Sequence, residues 1–345
     1  MRFQNCWLRR AGAAFLAGSL LSGCTVVDVH RWVPAEVASA SVQAERAWQA
    51  LLPPPWPQTP PTAAITTIVG PRNETEFEVD HPRVADFVNS FQTRRRNFFQ
   101  DALERSGKFR RRMTMILTRE GLPAELSYLP LIESSYRNSA VSRAGAAGPW
   151  QFVRETARRY GLRIDGYVDE RRDPLKSTHA AARYLRDLHA AFGNWHLSLA
   201  AYNSGQERVA RTLQHGVRTY WDMVERRSLP KETSDYVARF LAALQIMRAP
   251  ESHGFTQPSC RPLQFDLVQV HRRLSFRTVA QMAGVSAADI AELNPALLQK
   301  VTPPDPGGYR VRVPKGTKQR FELAYAQMMR RPSTDATTPT PSRQG

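Results

Sequence analysis

The sequence predicts a mainly α-helical protein whose C-terminal part contains a small β-α-α-β module. Between residues 80 and 250, apolar residues recur at the three- and four-residue spacing of amphipathic helices, and alternation of period two is almost absent. After Pro250 the pattern changes to two strand-like segments that flank two short helical ones. A chain of 345 residues is long enough for one good-sized domain and a smaller one.

Residues 1–23 predict a secretion signal that is absent from the mature protein. Arg2, Arg9 and Arg10 make a basic start, and the apolar stretch 11–21 that follows is too short to stay in a membrane as a span. The first residues are therefore interpreted as a targeting segment, and the folded domains are expected downstream of it.

The leader ends in Leu21-Ser22-Gly23-Cys24, which resembles the lipobox of bacterial lipoproteins. This resemblance implies cleavage before Cys24 and lipidation of its thiol, so that several acyl chains attach the chain to a membrane. Thr25 in place of an aspartate implies the outer membrane, with the protein on its periplasmic face. The alternative is an ordinary signal peptide with a chance cysteine. After processing only Cys260 remains, so no intramolecular disulfide is expected.

The formal charge of +17 falls to +14 when the three arginines of the leader are removed. A strongly basic chain is typical of proteins that meet nucleic acid, anionic lipid or an acidic polymer. An exported chain seldom meets nucleic acid, so no nucleic-acid partner is predicted. Anionic lipid and an acidic polymer both remain open.

Residues 24–79 are predicted to form a tether and residues 331–345 a disordered tail. Pro53-Pro54-Pro55-Trp56-Pro57 and Pro60-Pro61 force extended backbone, which makes the tether semi-rigid. The tail is rich in Pro, Ser, Thr and Gln, a composition that cannot bury a core.

Residues 80–255 predict a helical domain. Its helices open with capping residues or first-turn prolines, as at Pro82 and Asp173-Pro174, and several end at glycines such as Gly193. The first predicted helix begins at Pro82 and directs Val84, Phe87, Val88 and Phe91 inward, and a continuation directs Phe98, Phe99 and Leu103 inward. A further helix is predicted around Met113–Leu117. The remaining predicted helices cover Pro123–Glu133, 148–160, 174–192, Trp195–Asn203 and Thr233–Met247.

Residues 262–316 predict the small module. Phe265–Val270 and Tyr309–Val313 are predicted strands, and Ser275–Ala283 is a short helix that Gly284 ends. Ser286 followed by Asp289 is typical of a capping box that starts a second short helix.

Common catalytic machineries have no sequence signature in this chain. A phosphate-binding loop, a dinucleotide fingerprint, the H-E-x-x-H zinc motif and the G-x-S-x-G elbow are absent, and the eight histidines are scattered. We therefore expect neither a cofactor nor a metal.

Glu133 is the strongest candidate for acid–base chemistry. It lies at the C-terminal end of an apolar helix, where the helix dipole and hydrophobic neighbours both disfavour the charged carboxylate and raise its pKa. A general acid for glycoside cleavage needs such a pKa, because it must be protonated near neutral pH. Taken alone, a glutamate that ends a helix is more often simply solvated.

Further motifs follow Glu133 in a fixed order. They are Ser142-Arg143-Ala144-Gly145-Ala146-Ala147-Gly148-Pro149-Trp150-Gln151-Phe152, Asp173-Pro174 with Ser177-Thr178, Ala201-Tyr202-Asn203-Ser204-Gly205, and Leu229-Pro230 with Glu232-Thr233 and Tyr236. In this order and spacing, the series closely resembles the lytic transglycosylases of the goose-lysozyme-like (SLT) superfamily, and within it those of the membrane-bound D type. The resemblance covers residues 80–255 and implies a lysozyme-like helical domain.

The resemblance implies a peptidoglycan-cleaving enzyme with Glu133 as its single acid/base residue. The residues implied to contact the glycan are Ser134, Ser142, Gln151, Tyr202, Asn203 and Tyr236. Read from the sequence alone, the two tyrosines could instead be core aromatics, and the serine at 142 could be a turn residue.

The implied reaction cleaves the β-1,4 bond between N-acetylmuramic acid and N-acetylglucosamine and leaves 1,6-anhydromuramic ends. An ordinary glycosidase uses two carboxylates, and Asp165, Asp169 and Asp173 keep a second carboxylate possible. Two alternatives remain: a hydrolytic muramidase of the same fold and a non-catalytic peptidoglycan-binding lipoprotein.

The β-α-α-β module resembles LysM modules, which bind glycans containing N-acetylglucosamine. Ala283-Gly284-Val285-Ser286, Leu293-Asn294-Pro295 and the last strand with Pro314 carry the likeness. The usual Gly-Asp-Thr turn after the first strand is replaced by His271-Arg272-Arg273-Leu274-Ser275. The module is therefore either a glycan-binding unit or a degenerate, structural one.

Overall fold

The computed structural model describes residue 77 and residues 80–330. The predicted leader, the lipidation site Cys24, the tail at 331–345 and all of the tether except residue 77 lie outside the described residues. Phe77 lies within the predicted tether, but its ring is buried against Trp195 and Phe240 of the helical domain. The core therefore begins slightly earlier than the predicted boundary at residue 80.

The N-terminal part is helical, as the sequence predicts. Its helices are α1 (Pro82–Gln92), α2 (Arg96–Ser106), α3 (Arg110–Arg119), α4 (Leu129–Ser134), α5 (Arg154–Arg159), α6 (Pro174–Phe192), α7 (Trp195–Ser204), α8 (Gln206–Gln214), α9 (Tyr220–Glu225) and α10 (Lys231–Arg248), with short 3₁₀ turns at Ala124–Tyr128, Glu170–Arg172 and Glu251–His253.

Local capping explains where the main helices begin. Before α1, the imidazole Nδ1 of His81 accepts a hydrogen bond from the backbone N–H of Arg83. Asp173 caps α6 by accepting from two backbone N–H groups of its first turn, and Asn194 caps α7. Pro82 and Pro174 occupy first-turn positions, where the missing N–H costs nothing.

Helix α7 lies at the centre of the core. All of its residues from Trp195 to Ala201 are buried, and it packs between α6 and α10. Helix α1 covers the other side of α10 with buried Val84, Val88 and Phe91. Among the described residues, no helix has the length and apolar character needed to cross a membrane.

Residues 265–330 form the second module, with the predicted β-α-α-β order. Strands β1 (Phe265–Val270) and β2 (Tyr309–Pro314) pair antiparallel, with Phe265 opposite Pro314 and Val270 opposite Tyr309. Between the strands lie α11 (Phe276–Ala283) and α12 (Ala287–Leu293), and the Ser286–Asp289 capping box is present.

A helix that the sequence analysis did not foresee completes the module. Helix α13 (Lys318–Arg330) packs against β1 and α11, and its Phe321 side chain is fully buried. The predicted range 262–316 therefore stops short of a packed element.

Two predicted helices differ from the observed ones. The helix predicted over 148–160 is limited to α5, because Gly148 and Gln151 have positive φ angles of 81° and 49° that no helix accommodates. The helix predicted over Pro123–Glu133 begins as a 3₁₀ turn before α4.

The inward orientation predicted for Phe98 is also wrong. The turn at Thr93–Arg95 separates α1 from α2 and changes the helical phase, which leaves the Phe98 side chain 40% exposed.

A buried ion pair joins the two modules. Arg312 of β2 contacts both carboxylate oxygens of Asp173, at 2.6 and 3.0 Å, and both side chains are almost fully buried. Burial alone would raise the pKa of Asp173, but the Arg312 guanidinium outweighs it, and the pKa lies below its usual value. Val168, from the helical domain, packs into the core of the second module and extends this junction.

We expect Arg312→Met to lower the free energy of unfolding by about 3 kcal/mol, because it leaves the Asp173 carboxylate buried without its counter-ion. Urea unfolding of the full chain measures the effect. The control is Lys318→Met, which removes the exposed pair with Glu322 at 3.7 Å and should cost no more than about 0.5 kcal/mol. Equal losses in the two variants would contradict a structural role for the buried pair.

Candidate active site

Glu133 is the second-last residue of α4, and the chain leaves this helix through two left-handed residues. Ser135 and Tyr136 have φ angles of 54° and 56°, which are uncommon for residues other than glycine. Their backbone N–H groups close the helix end by donating to the carbonyl oxygens of Leu131 and Pro130. This exit fixes the end of the helix and the position from which Glu133 projects.

The carboxyl of Glu133 is desolvated and hydrogen-bonded. Burial raises its pKa to about 7, and the nearby negative charge of Glu232 acts in the same direction. Tyr236 Oη of α10 donates to Glu133 Oε1 at 2.5 Å, and this bond, together with the positive charge of Arg239, opposes the rise. The net result is a carboxyl that is close to half-protonated at neutral pH.

Tyr202 and Tyr236 lie with Glu133 in one cluster. Burial raises the pKa of both phenols well above its usual value, and the charge of Glu133 acts on each of them. The Tyr236 hydroxyl donates its hydrogen bond to Glu133, whereas Tyr202 Oη donates to the backbone oxygen of Trp150 at 2.7 Å. Both hydroxyls therefore remain protonated donors around the carboxyl.

The loop over residues 140–152 lies beside this cluster and is fixed by side chains from other elements. Arg171 Nη1 donates to the carbonyl oxygens of Gly145 and Phe152, at 2.8 and 3.1 Å. The indole of Trp150 is fully buried and donates to Thr178 Oγ1 at 2.8 Å.

Two further contacts hold the middle of the same loop. Gly148 is required because a Cβ there would lie 1.8 Å from the backbone oxygen of Arg171. Ser134 Oγ donates to the carbonyl oxygen of Pro149 at 2.9 Å and is buried beneath the loop. The loop is therefore attached both to the helix of Glu133 and to the start of α6.

The remaining predicted site residues lie on or near this loop. Ser142 is exposed, and its Oγ accepts from the N–H of Ala146 at 3.1 Å, as a turn residue does. Gln151 is half-buried and directs its amide nitrogen to the carbonyl oxygen of Gly148 at 2.7 Å. Asn203 Oδ1 accepts from Thr233 Oγ1 at 2.9 Å, and its NH₂ group donates to no other side chain among residues 80–330.

The three aspartates considered as a second carboxylate are committed elsewhere. Asp165 pairs with Arg163 at 2.6 Å, Asp169 with Arg171 at 2.7 Å, and Asp173 with Arg312. The charges that act on Glu133 come instead from Glu232 and Arg239. In the part of the chain that the structure describes, no group of three or more His, Cys, Asp or Glu residues could hold a metal ion.

Two protein-family models match parts of the chain. Residues 115–218 match the transglycosylase SLT domain, a range that includes Glu133, the loop over 140–152 and Asn203. Residues 264–330 match the LysM-like domain of lytic transglycosylase MltD, and this match includes α13. The predicted resemblance of each module is thus confirmed.

The chain is also similar to two curated proteins that carry different names. The chain is 32% identical over 209 residues to membrane-bound lytic murein transglycosylase D of Escherichia coli (strain K12), which covers 58% of this chain and 45% of that protein. It is 38% identical over 98 residues to a putative tributyltin chloride resistance protein of Alteromonas sp. (strain M-1), covering 28% and 47% of the two chains. The chain therefore spans less than half the length of these relatives.

Among solved structures, the 70 kDa soluble lytic transglycosylase SLT70 of Escherichia coli is 22% identical, with a TM-score of 0.37. This match covers 50% of the present chain and 31% of that one.

Several residues that shape the site had no assigned role in the sequence analysis. Arg171, which holds the loop, and Arg239, whose charge acts on Glu133, are two of many arginines, and no spacing distinguishes them. Thr178, Glu232 and Thr233 belong to the motifs that carry the family resemblance. Their place in that series of motifs is the sequence signal that could have identified them.

Two single substitutions should move the pKa of Glu133 in opposite directions. Tyr236→Phe removes the hydrogen bond to the carboxylate and should raise the pKa above about 7, whereas Glu232→Gln removes a like charge and should lower it. Side-chain carbon shifts followed by NMR against pH measure both effects. Tyr160→Phe is the control, because that hydroxyl donates to Asp187 instead. A shift of the same sign in the two test variants would contradict this electrostatic description.

Proposed function

We propose that this protein is a lytic transglycosylase that cleaves peptidoglycan strands between N-acetylmuramic acid and N-acetylglucosamine. The observation that carries the proposal is the Glu133 carboxyl, desolvated and hydrogen-bonded to Tyr236, with a pKa near 7, in a domain of the SLT family. The activity of the curated relative named above supports the same reaction class.

Glu133 acts first as the general acid. A carboxyl with a pKa of about 7 is protonated in about half of the molecules at neutral pH, so it can give its proton to the glycosidic oxygen as that bond breaks. An ordinary glutamate, with a pKa of about 4.3, would be ionised at this pH and unable to do so. Desolvation of the carboxyl is therefore what makes the acid step possible.

The carboxylate left by this step then serves as the base. It takes the proton from the C6 hydroxyl of the same muramic residue while the C6 oxygen forms a bond to C1. The C1–oxygen bond to N-acetylglucosamine is broken, the 1,6-anhydro bridge is formed, and Glu133 regains its proton, so no water is consumed. Attack within one sugar has a large effective-concentration advantage over attack by water.

The distribution of carboxylates favours this route over a hydrolytic muramidase. Hydrolysis by the usual mechanism needs a second carboxylate to activate water or to attack the sugar. Asp165, Asp169 and Asp173 are each paired with an arginine, and Glu232 is exposed. If Glu133 acts first as the acid and then as the base, the reaction requires none of these other carboxylates.

The other site residues are proposed to position the glycan. The free NH₂ group of Asn203 and the amide oxygen of Gln151 are suited to the hydroxyl and acetamido groups of the sugars. Tyr202 forms a wall of the cluster, and Ser142 lies exposed at the rim of the loop. Ser134 is buried, so its part is to fix the loop through Pro149.

Attachment to the outer membrane through lipidated Cys24, with the domains on the periplasmic face, completes the proposal. The lipobox-like Leu21-Ser22-Gly23-Cys24 and Thr25 support it, and the tether to residue 79 provides reach toward the cell wall. The LysM-like domain supports a peptidoglycan partner.

Digestion of purified sacculi tests the reaction. The wild-type chain should release fragments with 1,6-anhydro ends, identified by mass spectrometry, and Glu133→Gln should slow their release by a factor of at least about 10² to 10⁴. Glu225→Gln is the matched control, since Glu225 is an exposed glutamate that likewise stands at a helix end. The wild-type rate should also fall as pH rises through about 7, because the acid step needs protonated Glu133.

Other products would identify other functions. Fragments with reducing muramic ends would mean a hydrolytic muramidase, and an absence of release from the wild type would mean a binding protein. Equal rates for Glu133→Gln and Glu225→Gln would remove Glu133 from the mechanism.

Cell fractionation tests the anchor. The wild-type chain should be recovered with the outer membrane, whereas Cys24→Ala should lose the acyl chains and leave that fraction. Cys260→Ala is the control and should behave as the wild type. Recovery of Cys24→Ala with the outer membrane to the same extent would contradict lipid anchoring at this residue.

A further inference from the structure

A cavity of about 420 Å³ lies between the helical domain and the LysM-like module. The helical side contributes Arg105, Lys108, Phe109, residues 136–139 and Arg172. The second module contributes Phe276, Ala291, Glu292, Asn294, Pro295, Leu297, Leu298 and Lys300. A volume of this order fits a small ligand or the end of a longer one. Glu133 does not line the cavity, although residues 136–139, which do, directly follow the turn that ends α4.

The walls of the cavity carry a concentrated positive charge. Its cationic residues are Arg105, Lys108, Arg137, Arg172 and Lys300, and its only acidic residue is Glu292. Glu292 is already paired with Lys108 at 2.5 Å. Across residues 80–330, the other four cations form no ion pair with a carboxylate. The positive charge of Arg137 disfavours the charged form of Arg105, and the negative charge of Asp101 opposes this effect.

Three buried polar atoms in the lining have no hydrogen-bond partner: Arg105 Nη2, Arg172 Nε and Asn138 Oδ1. Leaving such groups unsatisfied is costly, and folded proteins rarely do so. Arg105 is also held in place, because its Nε donates to the carbonyl oxygen of Ser135 at 2.8 Å. Unsatisfied hydrogen-bonding groups are therefore concentrated in the residues that surround the cavity.

Apolar side chains make up much of the remaining lining. Phe109 and Phe276 stand on the two sides of the cavity, and Leu297 adds to the wall of the LysM-like module. All three are buried. A low-dielectric wall strengthens charge-assisted hydrogen bonds, so an anion bound here would gain more than on an open surface.

We propose that this cavity binds a free carboxylate of the stem peptide of peptidoglycan. The guanidinium groups of Arg105 and Arg172 suit the geometry of a carboxylate, and Arg137 adds a third positive charge. The side-chain amide of Asn138 adds a neutral group that can hydrogen-bond to the backbone of a peptide. The assignment rests on the proposed function for its choice of peptide, but the binding step needs no catalysis.

Calorimetric titration of the full chain with the tripeptide L-alanyl-γ-D-glutamyl-meso-diaminopimelate tests the assignment. The wild type should bind it saturably, and Arg137→Gln and Arg172→Gln should each weaken binding about tenfold, because each removes one charge-assisted contact. Arg154→Gln is the matched control: Arg154 is exposed and lies outside the cavity, so binding should be unchanged. Arg105 is left intact, because its bond to Ser135 supports the end of α4.

Failure of this inference and failure of the proposed activity are distinguishable. Glu133→Gln should bind the tripeptide as the wild type does, whatever the outcome of the sacculus digestion. Absent binding by the wild type, or equal binding by all arginine variants, would overturn the proposal.

Inorganic phosphate and vesicles of phosphatidylglycerol are the competing probes. Phosphate that binds as tightly as the peptide, or vesicle binding that is lost in Arg137→Gln, would assign the cluster to another anion and also overturn the proposal. The expected result is that neither probe competes with the tripeptide at equal concentration.

Discussion

The start of α6 is the point on which both modules depend. Asp173 caps this helix through two backbone N–H groups and pairs with Arg312, so one buried carboxylate orders the longest helix of the SLT domain and attaches the LysM-like module. One turn further along α6, Thr178 Oγ1 accepts a hydrogen bond from the indole N–H of Trp150. Just before α6, Arg171 donates hydrogen bonds to two carbonyl oxygens of the loop beside Glu133. The loop and the second module are therefore positioned by the same few residues.

The site also concentrates backbone strain. Ser135, Tyr136 and Gln151 adopt left-handed conformations, each at a cost on the order of 1 kcal/mol. Such conformations persist only where the surroundings determine them, and here the buried Tyr136 hydroxyl donates to the carbonyl oxygen of Ser127 at 2.8 Å while Arg105 binds Ser135. This rigid exit keeps Glu133 against α10, where desolvation raises its pKa.

Local signals in the sequence predicted most of the secondary structure, but they could not predict contacts between residues that are far apart in the sequence. The first-turn prolines, the Asp173 cap and the Ser286–Asp289 box each act within one turn, so they can be recognised without the fold. Glu133 stood out because its helix is apolar. Its partner Tyr236 is 103 residues away and was available only through the family resemblance. The Asp173–Arg312 pair spans 139 residues and has no local signature.

The two modules are best understood as one folded unit rather than as an enzyme joined to a separate binding domain. Val168 of the SLT domain belongs to the core of the LysM-like module, and the cationic cavity exists only because both modules contribute walls. The segment from Glu133 to Asn138 belongs to both features, since its first residue carries the acid and its last three line the cavity. Only Ser134 and Ser135 lie between Glu133 and Tyr136, the first cavity-lining residue of this segment, so the left-handed turn that begins at Ser135 sets the spacing between the desolvated carboxyl and the charged cavity.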